Sequence, residues 1–160
     1  MHVDLHLAAD VPWVVADAVL IEQVVINLVR NAADALADRV TDEVADGVAD
    51  ASPGALDEAR AERRIEVRTL RSSDPRVVRI DVRDNGPGLQ GRRVEALCAA
   101  FYSTKRDGMG MGLAICRSIL EAHHGALDAT DVPTGGACFS LTLPVDRVAT
   151  AQAAHEAEAV

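Results

Sequence analysis

Apolar and polar residues alternate in several short segments of the chain, a pattern that predicts strands with one buried face. Near the N-terminus, Val3, Leu5 and Leu7 alternate with polar residues, and we expect a half-buried strand there. The four later segments form two consecutive pairs. Within each pair, a short stretch rich in Ser, Pro, Gly or Asp joins the two segments, which predicts a tight turn. These four later strands are expected near residues 65–69, 78–82, 126–130 and 137–143.

Two longer segments show the three- and four-residue spacing of helices with one apolar face. The first covers residues 19–37 and follows Asp17, whose carboxylate can cap a helix N-terminus. The second covers residues 112–123, and Gly125 is placed to end it. A short helical piece is expected within 92–99. The order strand, helix, two strands, loop, helix, two strands predicts an α/β fold, a two-layer sandwich with helices on one face of a mixed sheet.

Three segments depart from this regular pattern. Residues 41–63 are rich in Asp, Glu and Ala, and we expect an acidic, solvated and partly helical insertion. Residues 84–111 contain many glycines, and we expect a mobile loop over a ligand. Residues 146–160 are rich in Ala and Glu, which predicts a flexible C-terminal tail. A single domain over residues 1–145 is therefore expected.

Charge and cysteine content narrow the choice of function. The formal net charge is -9 and the pI about 4.9, which argues against a nucleic-acid surface built from clustered Lys and Arg. The cysteines, Cys98, Cys116 and Cys138, lack metal-site spacing and fit a reducing compartment. No apolar run reaches the length of a membrane span. We therefore expect a cytoplasmic domain without nucleic-acid or membrane contact.

Two asparagines stand four residues apart on the first predicted helix. Four residues correspond to a rotation of about 40°, so Asn27 and Asn31 project from one side. Amide oxygens at this spacing can bind a hard cation such as Mg²⁺, with phosphate oxygens and waters as the other ligands. The alternative is that both are capping or packing amides. Asparagine is a poor residue within a helix, which favours the ligand interpretation.

A carboxylate and two glycines follow the third predicted strand. Asp84 can accept hydrogen bonds from an exocyclic amine such as that of adenine. Gly86 and Gly88 would let the backbone approach a flat base closely. The alternative is a plain turn, because the sequence Asp-Asn-Gly-Pro-Gly is rich in turn-forming residues in any protein.

A second glycine cluster leads into the second helix. Gly108, Gly110 and Gly112 expose backbone N–H groups at a helix N-terminus, which can form an anion site. The cluster is not a P-loop, because no Gly-Lys-Ser/Thr ends it. Thr104 and Lys105 could supply a hydroxyl and a charge to phosphates. The alternative is a flexible loop without a ligand.

Together these segments resemble the ATP-binding catalytic domain of bacterial sensor histidine kinases, within the superfamily shared with gyrase, Hsp90 and MutL. The N box is similar to residues 23–35, which contain Asn-Leu-Val-Arg-Asn-Ala. The first glycine box is similar to 84–89, Asp-Asn-Gly-Pro-Gly-Leu. The phenylalanine box is similar to 101–105, and the second glycine box to 108–115. The resemblance implies a Bergerat-type ATP-binding fold over nearly the whole chain.

The resemblance also implies roles for the matched residues, with ATP and Mg²⁺ as the ligands. Asn27 and Asn31 would hold magnesium, and Asp84 would contact the adenine amine. Phe101 would anchor the lid over the nucleotide. The implied nucleotide-binding residues are Arg30, Gly86, Gly88, Thr104, Gly108, Gly110, Gly112 and Leu113, and Lys105 would act at the terminal phosphate beside the asparagines.

Some positions depart from the family pattern. Asp34 stands where many relatives have a Lys or Arg, and Arg30 would take over that role. Ala100 stands where a Pro often precedes the phenylalanine, and His123-His124-Gly125 replaces a more common His-Gly-Gly. We interpret the histidine at the helix end as structural rather than catalytic.

The predicted site favours phosphoryl transfer over hydrolysis. ATPases of the gyrase type place a Glu base where this chain has Asn27, and an amide cannot abstract a proton. Glu22 lies about 140° from Asn27 on the helix and should face away. None of the five histidines has the sequence context of a phosphoacceptor.

We therefore expect a monomeric catalytic domain that phosphorylates a histidine on a separate dimerisation domain. That phosphoryl group would pass to the receiver domain of a response regulator. Two alternatives remain on the same fold. One is a degenerate ATP-binding regulatory module, and the other is a serine kinase of the anti-sigma type.

Overall fold

The structure is a computed structural model that describes residues 1–45, 63–99, 110–146 and 148–150, and within 38–45 it describes the helix without its side chains. The described part contains five strands and three helices. In chain order they are β1 (His2–Leu7), α1 (Ala18–Ala45), β2 (Arg64–Arg71), β3 (Val77–Asp84), α2 (Val94–Leu97), α3 (Gly112–Ala122), β4 (Ala126–Asp131) and β5 (Ala137–Pro144).

The five strands form one mixed sheet in the order β1-β2-β3-β5-β4. β1 pairs with β2 in parallel, and α1 makes the crossover between them. The other neighbours are antiparallel. A short turn at residues 72–76 joins β2 to β3, as the composition of this stretch, rich in Ser, Asp and Pro, predicted. The predicted mixed sheet with helices on one face is confirmed.

A single apolar core lies between the sheet and the two long helices. On β5 every second residue is buried, as expected for a strand with one face against helices. On α1 the buried residues recur every four positions. Burial of a whole Val or Leu side chain stabilises the folded state by ~1.5–3 kcal/mol. These α1 residues are Val24, Leu28, Ala32 and Leu36.

The first strand forms as predicted, but its apolar side chains are not half-buried. Leu5 and Leu7 are 64% and 66% exposed, and Val3 is 45% exposed. Leu5 is in register with buried Val67 and therefore points to the helical side of the sheet. β1 is the edge strand, however, and α1 and α3 pack over β2 to β5. In the described part of the chain, the helical layer therefore does not cover this edge of the sheet.

The first helix is longer than its apolar pattern predicted. It begins at Ala18, where Oδ1 of Asp17 accepts hydrogen bonds from the backbone N–H groups of Val19 (2.9 Å) and Leu20 (3.1 Å). This confirms the predicted N-cap. The helix continues through Ala45, so it includes the first residues of the acidic stretch 41–63. Residues 46–62 of that stretch lie outside the described residues.

The end of α3 differs in detail from the prediction that Gly125 would stop it. His124 is the residue in the left-handed conformation, with φ of 55°. Its N–H donates to the carbonyl of Glu121, and the N–H of Gly125 donates to the carbonyl of Leu120. This is a Schellman ending with histidine in the position that usually holds glycine. Gly125 is needed for another reason, since a Cβ there would collide with the carbonyl oxygen of Thr142 on β5.

The start of the predicted tail makes a defined contact. Asp146 caps a helical turn at 148–150 by accepting hydrogen bonds from Val148 and Ala149 N–H groups, at 2.9 and 3.2 Å. The Thr150 hydroxyl oxygen accepts a hydrogen bond from Trp13 N–H at 3.3 Å. Residues 151–160 lie outside the described residues.

Candidate functional site

Asp84 is a buried carboxylate at the end of β3, with 4% of the residue exposed. Its Oδ1 accepts hydrogen bonds from the backbone N–H groups of Gly86 (2.8 Å) and Ala137 (3.2 Å). Oδ2 has no partner among the described residues, although every fully buried side-chain nitrogen or oxygen in those ranges has one. Oδ2 is therefore not fully enclosed and can accept a further hydrogen bond.

The environment of Asp84 disfavours its charged form. Burial raises the pKa of the Asp84 carboxyl above its usual 3.8. The two backbone hydrogen bonds oppose this shift, because they stabilise the carboxylate. Such perturbation of a carboxyl beside a loop is a feature of functional sites, although ion-pair networks can also cause it.

The turn after Asp84 is fixed by Asn85. The N–H of Asn85 donates to the carbonyl of Arg64 at 3.3 Å, and its Oδ1 accepts from the Arg64 N–H at 2.8 Å. These bonds fasten the loop to the start of β2. Gly86 then passes so close to Asp84 that a Cβ would lie 2.9 Å from Oδ1.

Two further residues shape this loop and were not singled out from the sequence. Gly136, with φ of 92°, lies against the Asp84 backbone, and a Cβ there would overlap the carbonyl of Asp84. Asp131 accepts a hydrogen bond from Leu89 N–H at 2.5 Å and lies 2.5 Å from the position of a Cβ on Gly88. Gly88 itself has φ of 77°. Its lack of a side chain therefore makes room for Asp131 and allows the left-handed backbone.

The two asparagines lie on α1 as predicted, and both are half-buried. Glu22 is exposed, in agreement with the predicted separation of faces. Arg30 is also exposed. The structure thus distinguishes the side of α1 with Asn27 and Asn31 from the solvent side.

Asn27 has a neighbour on α3 that sequence reasoning missed. Its side chain lies close to the thiol of Cys116, which is fully buried. The Cys116 Sγ also lies 3.8 Å from the backbone oxygen of Val24. Burial raises the pKa of the Cys116 thiol to about 11, and the contact with Asn27 opposes that rise. The thiol is therefore neutral and serves as a packing and hydrogen-bonding group.

The second glycine cluster is described only in part. Gly110 has φ of 65°, and α3 begins at Gly112 without a side-chain cap in the described part of the chain. N–H groups in the first turn of a helix are the kind of donors that can bind an anion. Leu113 packs against the core. The predicted site residues Phe101, Thr104, Lys105 and Gly108 lie outside the described residues.

The candidate site offers few protein ligands to a metal ion, so phosphates and waters would have to supply the others. Within the described ranges, no three His, Cys, Asp or Glu side chains are arranged to hold a metal ion. The amide oxygens of Asn27 and Asn31 are ligands of the kind that Mg²⁺ accepts when phosphates and waters complete its shell. Of the described helices, none is both long and apolar enough to cross a membrane.

The fold is a two-layer α/β sandwich whose described site residues come from α1, the end of β3 and the start of α3. The family of histidine kinase-, DNA gyrase B- and HSP90-like ATPases matches residues 16–147. The chain belongs to this family.

Individual relatives and a solved structure agree with this assignment. The C4-dicarboxylate transport sensor protein DctS of Rhodobacter capsulatus is 41% identical over 135 residues, which are 84% of this chain and 17% of that protein. The sensor histidine kinase TmoS of Ectopseudomonas mendocina is 37% identical over 134 residues, 84% of this chain and 12% of that protein. The catalytic domain of histidine kinase ThkA matches with a TM-score of 0.63 and 26% identity, covering 89% of this chain and 80% of that chain. The chain thus spans only a small part of the curated relatives.

Proposed function

We propose that this chain is the Mg²⁺-ATP-binding catalytic domain of a two-component sensor histidine kinase. It transfers the γ-phosphoryl group of ATP to a histidine on a dimerisation domain, and that group then passes to an aspartate of a response regulator. The family match and the sensor kinases among its relatives support this proposal. With ATP as the phosphoryl donor, a cytoplasmic location is part of this proposal.

The observation that carries the proposal is the open acceptor at Asp84. A buried carboxylate whose Oδ1 is fixed by two N–H groups presents Oδ2 in one direction. An exocyclic amine such as that of adenine can donate to this oxygen. Because the site has low exposure, a hydrogen bond to the carboxylate is stronger there than in water.

Asn27 and Asn31 are the proposed ligands of magnesium. The ion, when bound, neutralises charge on the phosphate oxygens during transfer. Gly110 and Gly112 supply backbone N–H groups to the phosphates, and Gly108, Thr104 and Lys105 are proposed to act beside them.

Phosphoryl transfer is favoured over hydrolysis because residue 27 is an asparagine. Its amide cannot act as the base that a glutamate provides at this position in ATPases of the gyrase type. Glu22, the nearest acid before it on the helix, is exposed. Arg30 is likewise exposed and is proposed to reach the terminal phosphate only when nucleotide is bound.

Calorimetric titration of ATP, with and without Mg²⁺, tests the proposal. Wild type should bind ATP, Asp84→Asn should bind it about ten-fold more weakly or worse, and Asn31→Ala should lose the part that depends on Mg²⁺. Glu22→Ala is the matched control on the same helix and should bind as wild type does. Equal losses in Asn31→Ala and Glu22→Ala would contradict the assignment of the faces, and no binding by wild type would contradict the function.

A second experiment identifies the acceptor. The chain is incubated with radiolabelled ATP and a purified dimerisation domain from a sensor kinase of this family. A histidine kinase gives a phosphoprotein that is labile in acid and stable in base. A product stable in acid would instead indicate a serine kinase. Gel filtration of the chain alone should give the elution volume of a monomer.

A further inference from the structure

His123 joins the end of α3 to the start of α1. Its Nε2 accepts a hydrogen bond from the backbone N–H of Asp17 at 3.1 Å. Its Nδ1 lies 2.8 Å from the carbonyl oxygen of Ile119. The carboxylate of the same Asp17 caps α1. His123 therefore links the helix that carries Asn27 and Asn31 to the helix that begins at Gly112.

The two partners determine the state of the imidazole. A backbone N–H can only donate, so Nε2 must lack a proton. A carbonyl oxygen can only accept, so Nδ1 must carry the proton. His123 is therefore the neutral tautomer protonated at Nδ1, and no other form satisfies both contacts.

A second contact shows how the two helices are aligned. Cys116 lies seven residues before His123, and its partner Val24 lies seven residues after Asp17. Seven residues are about two turns of an α-helix, so both contacts fall on the same side of each helix. The helices thus run antiparallel in a fixed alignment.

This alignment continues into the candidate site. Gly112, the first residue of α3, lies four residues before Cys116. Leu28 lies four residues after Val24, which is the same distance in the same direction on the antiparallel α1. Leu28 on α1 therefore lies opposite the first residue of α3. Asn27 and Asn31 lie just before and just after this point along α1. The proposed magnesium ligands and the proposed phosphate-binding N–H groups are placed by the same helix pair.

We propose that His123 is a positioning residue that fixes the start of α1 against the end of α3 and so holds Asn27 and Asn31 level with the backbone N–H groups at the start of α3. The inference rests on the proposed function of those residues. His123 does not touch the nucleotide in this proposal. It acts through the two helices.

The test compares three variants of the chain. His123→Leu removes the acceptor, whereas His123→Gln can present an amide oxygen in place of Nε2. His124→Asn is the matched control, because it changes the adjacent exposed histidine and asparagine tolerates a left-handed backbone. ATP affinity is measured by calorimetry with and without Mg²⁺, on samples shown to be folded by circular dichroism.

Loss of one hydrogen bond at this position should lower Mg²⁺-ATP affinity about five-fold in His123→Leu, with a smaller change in the absence of Mg²⁺. His123→Gln should restore most of the affinity, and His124→Asn should match wild type. An equal loss with and without Mg²⁺, a Gln variant no better than Leu, or an unchanged Leu variant would each overturn the proposal.

Nitrogen NMR of the histidine side chains is an independent measurement. Wild type should show His123 protonated at Nδ1, and a signal for the Nε2-protonated tautomer would overturn the proposal even if His123→Leu failed to fold. Asn31→Ala distinguishes the proposed role of the asparagines in Mg²⁺ binding from the contact of His123 with α1. If Asn31→Ala keeps its Mg²⁺-dependent binding, the proposed function of the asparagines fails, while the tautomer still tests the contact of His123 with α1.

Discussion

Two buried carboxylates on β3 have different partners, a guanidinium in one case and backbone N–H groups in the other. Asp81 lies on the face of the sheet away from the core residue Val82, and its Oδ1 is 2.6 Å from Nε of Arg79. Asp84, three residues later, faces the other side and accepts hydrogen bonds only from backbone N–H groups in the described part of the chain. Both residues are less than 10% exposed, at 7% and 4%.

The difference shows which buried acid is available to a ligand. The guanidinium of Arg79 compensates the charge of Asp81, and Asp81 in turn raises the pKa of Arg79 by hydrogen bonding. Among the described residues Asp84 has no such counter-charge, and burial makes its ionised form unfavourable. The first arrangement stabilises the sheet, whereas the second keeps an acceptor in place at a cost to stability.

The largest expected effect comes from disturbing the backbone at Asp84. Gly136→Ala would force a Cβ into the Asp84 carbonyl at a positive φ, and it should lower the free energy of unfolding by at least about 3 kcal/mol. Gly135→Ala is the matched control, since Gly135 also has a positive φ but no atom of a described residue beyond its chain neighbours within 4 Å of its Cβ position. It should cost about 1–2 kcal/mol. Urea unfolding measures both, and equal losses would refute the role of close approach.

Asp84→Asn should separate stability from ligand binding. The amide can keep Oδ1 as an acceptor for Gly86 and Ala137 but places a donor at Oδ2. ATP affinity should fall about ten-fold or more, because a hydrogen bond to a charged group is lost. The free energy of unfolding at neutral pH should be equal or higher. A variant that is less stable and still binds ATP would contradict this contrast with Asp81.

The pH dependence of stability should reveal the uncompensated charge. Since the folded-state pKa of Asp84 is raised above 3.8, ionisation opposes folding. Wild type should lose stability relative to Asp84→Asn as pH rises from 3.8 through the folded-state pKa, and the difference should then stay constant. Below 3.8 the carboxyl is protonated in both states, and the difference should stop changing. A difference of the opposite sign would show that the backbone hydrogen bonds outweigh burial.

The smallest effect in this series should come from Asp81→Ala. Arg79 is 42% exposed along its side chain and can turn towards water when its partner is removed. The expected loss is therefore about 1 kcal/mol or less, measured by thermal unfolding. ATP binding should be unchanged. A large loss of ATP affinity would mean that the two carboxylates do not have separate roles.

The local pattern of the sequence was sufficient for most of the secondary structure. Alternation located the strands, and the Asp17 cap located the start of α1, because both depend on neighbouring residues. The exposure of Leu5 could not be predicted, since it depends on how far the helical layer extends over the sheet.

Contacts between distant residues limited the prediction of the site. Asp84 and the asparagines were identified by their spacing in known motifs. The contribution of Gly136 depends on a close approach across 52 positions of the chain, and sequence spacing gives no sign of it. The bond between His123 and Asp17 spans 106 positions. Such pairs become visible only when packing brings the elements together.

The histidine at the left-handed position after α3 offers a practical use. His124 has an unfavourable backbone for a residue with a Cβ, and its side chain is exposed. Replacing it by glycine should raise the free energy of unfolding by about 0.5–1 kcal/mol, because relief of strain exceeds the added flexibility of the unfolded chain. This single change is therefore a starting point for engineering a more heat-resistant form without altering the nucleotide site.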